Sequence, residues 1–367
     1  MPQNLERKFF EKFSALLNRE RIENQKFAVG VSGGADSLAL IFLLKKFSEE
    51  QNIKFVALTV DHKLREDSAE EAKYVAKLMK QNSIEHHILI WEGEKPKTGI
   101  EEIARKIRYG LLQNFCEQNQ VENLLIAHHK KDQAETFLMR LQRGSGVDGL
   151  SGIAEVSELG KLKLIRPLLD FMPEELKNYL GSNKIEWKED YLNENEDFLR
   201  VRVRKFLPEL EQKIGLTIDR LAKTSNILSR TRDYLEKQTD NFIKNNVKFY
   251  DEKALKISIH QLQNLHEEIL FRTFAKLLKD IASRDYIPES EQVQRICDSL
   301  KNGAFKSRTL ADCEIIFADK NIWIIPELKS KEIVEKKKLE NFITEKYGKA
   351  KMPHHVKKYL FMKAIVF

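Results

Sequence analysis

Cysteine is scarce in this chain. Its three cysteines, Cys116, Cys297 and Cys313, lie far apart and form no CxxC pair. A zinc ribbon, a dithiol redox site and a disulfide scaffold are therefore without support. Long apolar runs are missing as well. The longest, Leu38–Leu44, has seven residues, where a membrane span needs about twenty. The first residues, Met1–Glu20, mix charges among their apolar positions and read as no secretory signal. These absences lead to the expectation of a cytoplasmic protein. There is no internal repeat, and no low-complexity stretch before the lysine-rich end. What is present is ordinary globular composition, with 42% hydrophobic and 32% charged residues. A length of 367 residues suggests two domains, with room for a small third.

Charge is unevenly placed. Lys plus Arg is 63 and Asp plus Glu is 56, a formal net charge of +7. Lys329–Phe367 holds eleven Lys and four Glu, so this segment alone carries the +7 and the rest is balanced. A basic appendage on a balanced body suits a polyanion. The plainer reading is a solvated lysine–glutamate helix over Lys329–Lys346.

Strand and helix patterns alternate through the first half. Phe27–Val31, Ile53–Val60, Ile84–Trp91, Asn123–Ala127 and Leu162–Leu168 read as strands. Asp36–Glu49, Ser68–Gln81, Gly99–Gln118 and Lys131–Arg143 read as the helices between them. This alternation predicts an α/β domain, a Rossmann-like parallel sheet with flanking helices, binding ligands at the carboxyl ends of its strands. The pattern changes near Pro208. Helices are predicted over Leu216–Asn245, Gln261–Asp280 and Pro288–Leu300. Thr309–Ala318 and Asn321–Ile325 then read as a hairpin turning at Asp319-Lys320. A smaller α+β C-terminal domain and a basic tail are expected.

Directly after the first strand stands Ser32-Gly33-Gly34-Ala35-Asp36-Ser37. Adjacent glycines let backbone approach a ligand closely, and a helix start favours phosphate. The string lacks the Gly-Lys-Ser/Thr of a Walker loop and is no GxGxxG. A carboxylate beside a phosphate cradle is repulsive unless a cation bridges them, so Mg²⁺ is expected on Asp36. A Gly-Gly turn alone would favour a capped βα turn with Ser32 or Asp36 as N-cap. The complete string favours nucleotide. It resembles the loop of the N-type ATP pyrophosphatases, the PP-loop superfamily. That resemblance implies ATP and leaves the second substrate open.

Further motifs follow in order. Val60-Asp61-His62-Lys63-Leu64-Arg65 ends the second strand and faces the same crevice. Glu101, Arg105 and Arg108 share a helical face. Ala127-His128-His129-Lys130-Lys131-Asp132-Gln133-Ala134-Glu135-Thr136 follows the fourth strand. If the helix starts early, His128, Asp132 and Glu135 share one face. A glycine-rich stretch from Arg143 to Leu150, then Arg166-Pro167-Leu168-Leu169, then Arg200, Arg202 and Arg204 before Pro208 complete the series. Together these residues resemble the tRNA(Ile)-lysidine synthetase family over residues 27–210, and more weakly at Thr309–Cys313. Two positions depart from the family pattern: Lys131 stands where an acidic residue is usual, and Val201 where an asparagine is usual.

The resemblance implies a carbon–nitrogen ligase. It would adenylate the wobble cytidine of a CAU-anticodon tRNA(Ile) with ATP, release pyrophosphate, and join free L-lysine. Ser32, Gly33, Gly34, Ala35, Asp36 and Ser37, with His62 and Arg108, would bind ATP. Asp36 and Asp132 would hold Mg²⁺. Asp132 and Glu135, with His128 secondary, would handle the lysine ammonium, of which about one in 2,500 is neutral at pH 7. Arg108 and Arg200 would offset phosphate charge. On this reading residues 1–215 form the catalytic domain and 216–327 a tRNA-binding domain. Residues 328–367 form a basic tail, a remnant of a further domain being one reading. No membrane association is expected, and the oligomeric state, a homodimer included, is left open. The alternatives are a PP-loop tRNA-thiolating enzyme, a small-molecule amide-forming synthetase, and a metal-dependent hydrolase built on His128, Asp132 and Glu135.

Overall fold

The computed structural model describes residues 2–23, 26–63, 68–93, 100–188, 196–283, 288–328, 334–348 and 350–366. The chain divides into two units, Met1–Thr231 and Arg232–Phe367. In the first, the elements run α1 (Pro2–Arg19), β1 (Lys26–Gly30), α2 (Ala35–Gln51), β2 (Lys54–Asp61), α3 (Ser68–Gln81), β3 (His86–Ile90), α4 (Ile100–Gln118) and β4 (Asn123–Leu125). They continue with α5 (Lys130–Gln142), α6 (Val147–Leu150), β5 (Val156–Leu159), β6 (Leu162–Ile165), α7 (Pro173–Ser182) and α8 (Leu199–Ile214). The long helix α9 (Ile218–Asn246) spans the junction.

The strands form one sheet in the order β3-β2-β1-β4-β6-β5. Strand order reverses at β1 and β4, which leaves a crevice beyond their carboxyl ends. β1 pairs with both β2 and β4 in parallel. The five strands read from the sequence are parallel as expected, and a sixth, β5, joins them at the edge. β5 runs antiparallel to β6 because Gly160-Lys161 closes a two-residue hairpin, with Gly160 at φ +60°. Such a turn can join only antiparallel strands.

Helix α2 carries apolar residues on nearly every side, Leu38 to Phe47, and is buried accordingly. α1 packs on it. Leu5, Phe9, Phe13 and Leu16 recur at helical spacing and are buried. Phe13 meets Phe47 edge-on with ring centroids 5.1 Å apart. The charges between those apolar positions conceal α1 from a composition reading, although its period is plain in hindsight.

The second unit holds β7 (Val247–Asp251), β8 (Ala254–Ser258), α10 (Ile259–Gln263), α11 (Glu267–Ala282), α12 (Ser290–Lys301), β9 (Arg308–Leu310), β10 (Cys313–Ala318), β11 (Asn321–Pro326), α13 (Lys336–Tyr347) and α14 (His354–Val366). Its antiparallel sheet runs β7-β8-β11-β10-β9. The helix expected over Gln261–Asp280 is two helices, because His266 caps α11 by accepting from the Glu268 amide at 3.2 Å. The strand expected over Thr309–Ala318 is also split. Ala311 and Asp312 have φ +53° and +56° and turn β9 back onto β10. The turn at Asp319-Lys320 stands where the sequence places it, with φ +49° and +62°.

The lysine-rich end is built into this unit. Ile343 of α13 and Val356 and Leu360 of α14 pack with Trp323 and Ile325 of β11. Ile322 and Ile324 point to the other face, where Phe274 and Leu278 of α11 and Ile296 of α12 cover them. Alternation along β11 thus assigns each helical layer its own half of the strand. Lys336, Lys337 and Lys338 remain exposed.

Candidate active site

Strand β1 delivers the chain to the crevice. The Val31 amide still bonds Leu58 O at 2.8 Å, and the turn begins at Ser32. Gly33 has φ +90°, and a Cβ there would lie 3.1 Å from Val75 of α3, so both angle and space favour glycine. Ser37 Oγ accepts from the Ser32 amide at 3.1 Å and donates to Gly34 O at 3.0 Å, which holds the loop in a tight ring. The N-cap of α2 is Gly34, and no side chain caps the helix. The alternative in which Ser32 or Asp36 serves as cap therefore falls. The first amides of α2, with the positive end of its dipole, are left facing the crevice.

Asp36 lies in the first turn of α2. Its Oδ1 is buried without a hydrogen-bond partner, and its Oδ2 stands 3.5 Å from His129 Nε2. Burial pushes its carboxyl up. His129, Lys177 and Arg204 pull it down, Asp132 adds to the rise, and the net shift is upward.

His129, at the end of the β4 segment, is the N-cap of α5. Its Nδ1 accepts from the Asp132 amide at 3.2 Å, and Asp132 Oδ2 accepts from the His129 amide at 2.9 Å. This reciprocal pair fixes the helix start. In the neutral ring, an accepting Nδ1 leaves the proton on Nε2, toward Asp36. For Asp132, burial alone would raise the carboxyl. His129, His128, the His129 backbone and Arg200 overcome it and hold the group below its ordinary value.

The expected common face of His128, Asp132 and Glu135 does not form. α5 begins at Lys130, so His128 precedes it. Glu135 turns instead to α8, where its fully buried carboxylate meets Arg204 Nε at 2.7 Å and Arg200 Nε at 3.3 Å. Arg200 Nη2 also donates to Thr136 Oγ1 at 3.2 Å. His128 is pushed down to about 4 by burial against the pull of Asp132, with Arg166, Arg105 and Arg200 adding to the fall. Its Nδ1 is buried without a partner. Past the end of β2, His62 Nε2 accepts from Arg108 Nε of α4 at 3.4 Å. Burial and Arg108 lower His62 to about 4 against the pull of Asp61. Leu64, Arg65 and the Glu101 side chain lie outside the described residues.

His62, His86 and His128 thus stay neutral in the fold to about pH 4, from an ordinary 6.5. The unfolded chain takes up those protons first. Their contribution is present above about pH 6.5 and is lost as pH falls toward 4. The thermal midpoint is therefore expected to fall over that interval. A midpoint flat between pH 6.5 and 4.5 would contradict these environments.

The glycine-rich loop is clamped from α5. Arg140 Nη1 donates to Gly149 O at 2.7 Å and Gly152 O at 2.9 Å. Gln133 accepts from the Ile153 amide at 2.6 Å and donates to its carbonyl at 2.7 Å. Gly152 has φ +71°, and a Cβ there would overlap Ser225 Oγ and Gln133 Oε1. Gly152→Ala is expected to cost about 2–5 kcal/mol, combining left-handed strain with overpacking. Urea unfolding of the variant checks this, and a loss below 1 kcal/mol would contradict it.

Could Asp36 and Asp132 hold a divalent ion? The unpartnered Asp36 Oδ1 offers one hard oxygen, with Asp132 reached through the same histidine. No group of three or more His, Cys, Asp or Glu stands ready to hold a metal among the described residues. Mg²⁺ commonly takes one or two carboxylates and completes its shell with phosphate and water. The residues fit an ion that arrives with a nucleotide.

Known proteins resemble this chain. A family model described as the PP-loop domain matches residues 5–210. The tRNA(Ile)-lysidine synthase of Wolbachia pipientis wMel is 36% identical over 318 residues, covering 86% of this chain and 74% of that protein. The chain belongs to the tRNA(Ile)-lysidine synthase family. The enzyme so named from Ruegeria pomeroyi is 32% identical over 308 residues, 84% of this chain and 73% of that protein. Among solved structures, U34-tRNA thiolase NcsA from Methanococcus maripaludis, with its [4Fe-4S] cluster, superposes with a TM-score of 0.51 at 19% identity. It covers 63% of this chain and 79% of that one. This likeness shows the fold alone. No described helix is long and apolar enough to cross a membrane.

In this member of the lysidine-synthase family, the candidate site also includes His129 and Arg204, which the sequence did not single out. The three-residue spacing from His129 to Asp132 is that of a capping box and carries the missing signal. Arg200 and Arg204 stand at i and i+4, one face of a helix, while Arg202 between them is exposed. Of the two departures, Val201 is buried at 6% exposure and Lys131 sits half-buried in the first turn of α5.

Proposed function

We propose that this chain joins lysine to the wobble cytidine of a CAU-anticodon tRNA(Ile), using ATP. The observation that carries this reading is the uncapped start of α2 beside the unpartnered Asp36 oxygen, in a chain of the lysidine-synthase family. The cytosine carbonyl is amide-like and a poor electrophile. Its oxygen attacks the α-phosphorus of ATP, and the bond to pyrophosphate breaks. The lysine amine then attacks the activated ring carbon, the carbon–oxygen bond breaks and AMP leaves.

The chain's own groups suit these demands. Ser32, Gly34 and the α2 amides offer donors to phosphate oxygens. Arg108, held against His62, and Arg200 supply positive charge. Asp36 and Asp132 would hold Mg²⁺, which supplies charge stabilisation to the departing pyrophosphate. Asp132, kept ionised, suits the lysine ammonium. His128 is a neutral nitrogen in the same cluster. The target base must leave its stack to be reached.

A sulfur-transfer reading finds no nucleophile. All three cysteines are buried, and burial pushes Cys116 up to about 11 and Cys297 to about 12.

Mass analysis of nucleosides from tRNA incubated with the protein, ATP and lysine tests the proposal. A cytidine heavier by lysine less one water is expected, and none with tRNA lacking the CAU anticodon. Equal labelling of both tRNAs would reject the substrate assignment.

A further inference from the structure

We propose that Arg204 is a positioning residue, which grips the Glu135 carboxylate and so seats α8 on α5 beside Asp36 and Asp132. The role presupposes the ligase activity proposed above. Arg204 meets Glu135 with two nitrogens, Nε at 2.7 Å from Oε1 and Nη2 at 3.4 Å from Oε2. Only a guanidinium can present such a fork. The carboxylate it holds has no exposure to solvent. Arg200 closes the other side at 3.3 Å and reaches on to Thr136. Both oxygens of Glu135 are therefore engaged by α8.

Stability alone does not account for this group. A buried ion cluster of this kind is often no more stable than apolar residues of equal volume. What it supplies is a defined geometry. α5 starts at the His129–Asp132 cap, and Glu135 lies one turn further along the same helix. Fixing Glu135 fixes the azimuth of that turn, and with it the direction of Asp132. Arg204's neighbour in sequence, Arg202, points outward and shares none of these contacts.

The test compares R204Q, R204K and the exposed control R202Q in the full chain, with ATP, lysine and tRNA. For R204Q, kcat is expected to fall about a hundredfold with KM for ATP within about threefold, since small misplacements of reacting groups cost that much. R204K keeps the charge without the fork and is expected to lose about tenfold in kcat. R202Q is expected to match the wild type. A raised KM with unchanged kcat would make Arg204 a substrate ligand and overturn the proposal, as would wild-type kinetics in R204Q. Should R204Q fail to fold, R204K decides: kcat within threefold of wild type overturns. An inactive wild type would instead sink the ligase reading. Hydrogen exchange then still tests the seating of α8. Amides of residues 204–214 are expected to exchange at least tenfold faster in the folded Arg204 variant, and unchanged protection overturns the proposal.

Discussion

Asp36→Asn is expected to slow pyrophosphate release roughly a thousandfold while leaving the fold as stable as before, or more so. The two halves of this expectation have one cause. Asp36 is a half-buried carboxylate whose Oδ1 is sealed from solvent and has no hydrogen-bond partner in the protein. Its raised carboxyl pKa, driven first by burial, records the strain of keeping a charge there. Asparagine keeps the shape and removes the charge. The folded state then loses a burden, and the crevice loses its hard oxygen for a cation. Pyrophosphate release and thermal unfolding, measured on the same preparation, separate these effects. A variant that keeps its activity would remove the metal role from Asp36. A variant with a sharply lower midpoint would show that the carboxylate holds the loop together.

Truncation after Leu328 is expected to unfold the second unit rather than trim a tail. Trp323 and Ile325 are 1% and 0% exposed and owe that burial to α13 and α14. Exposing them costs about 1.5–3 kcal/mol each, against a whole-domain stability of about 5–15 kcal/mol. The helices that would have covered them go too. Loss of one cooperative transition in a denaturant melt is the expected result. An unchanged melt would show that the two helices are dispensable. It follows that weak tRNA binding by such a truncation would not locate an RNA contact. Charge reversal at the exposed Lys336, Lys337 and Lys338 asks that question without removing core residues. If these lysines meet phosphate, the slope of log affinity against log salt becomes shallower.

The first unit of the fold was legible because its signals are local. The parallel strands are short apolar runs, β1 and β2 ending at Gly30 and Asp61, and the helices between them carry their own period. Ser68–Gln81 is read to the residue for that reason. What escaped depends on partners distant in sequence. β8 is a short strand whose pairing to β11 no local pattern announces, and β7 joins the sheet only through β8. The split between α10 and α11 rests on a histidine cap, a residue type seldom read as one. In the site, the PP-loop string was plain. The destination of Glu135 was not, because a carboxylate at helical spacing from Asp132 looks like a second reacting group until α8 supplies two arginines. The choice between His128 and His129 turned on which residue opens the helix, and helix boundaries are the least certain part of any sequence reading.

The bare start of α2 has a thermodynamic consequence. A capping side chain in place of Gly34 would contribute roughly a few tenths of a kcal/mol to the folded chain, and the chain forgoes it. Nucleotide oxygens would complete those amides instead. Occupancy and folding are then one linked equilibrium: at a hundred times the dissociation constant, bound nucleotide adds about 2.7 kcal/mol. The protein would be at its most robust when its fuel is abundant.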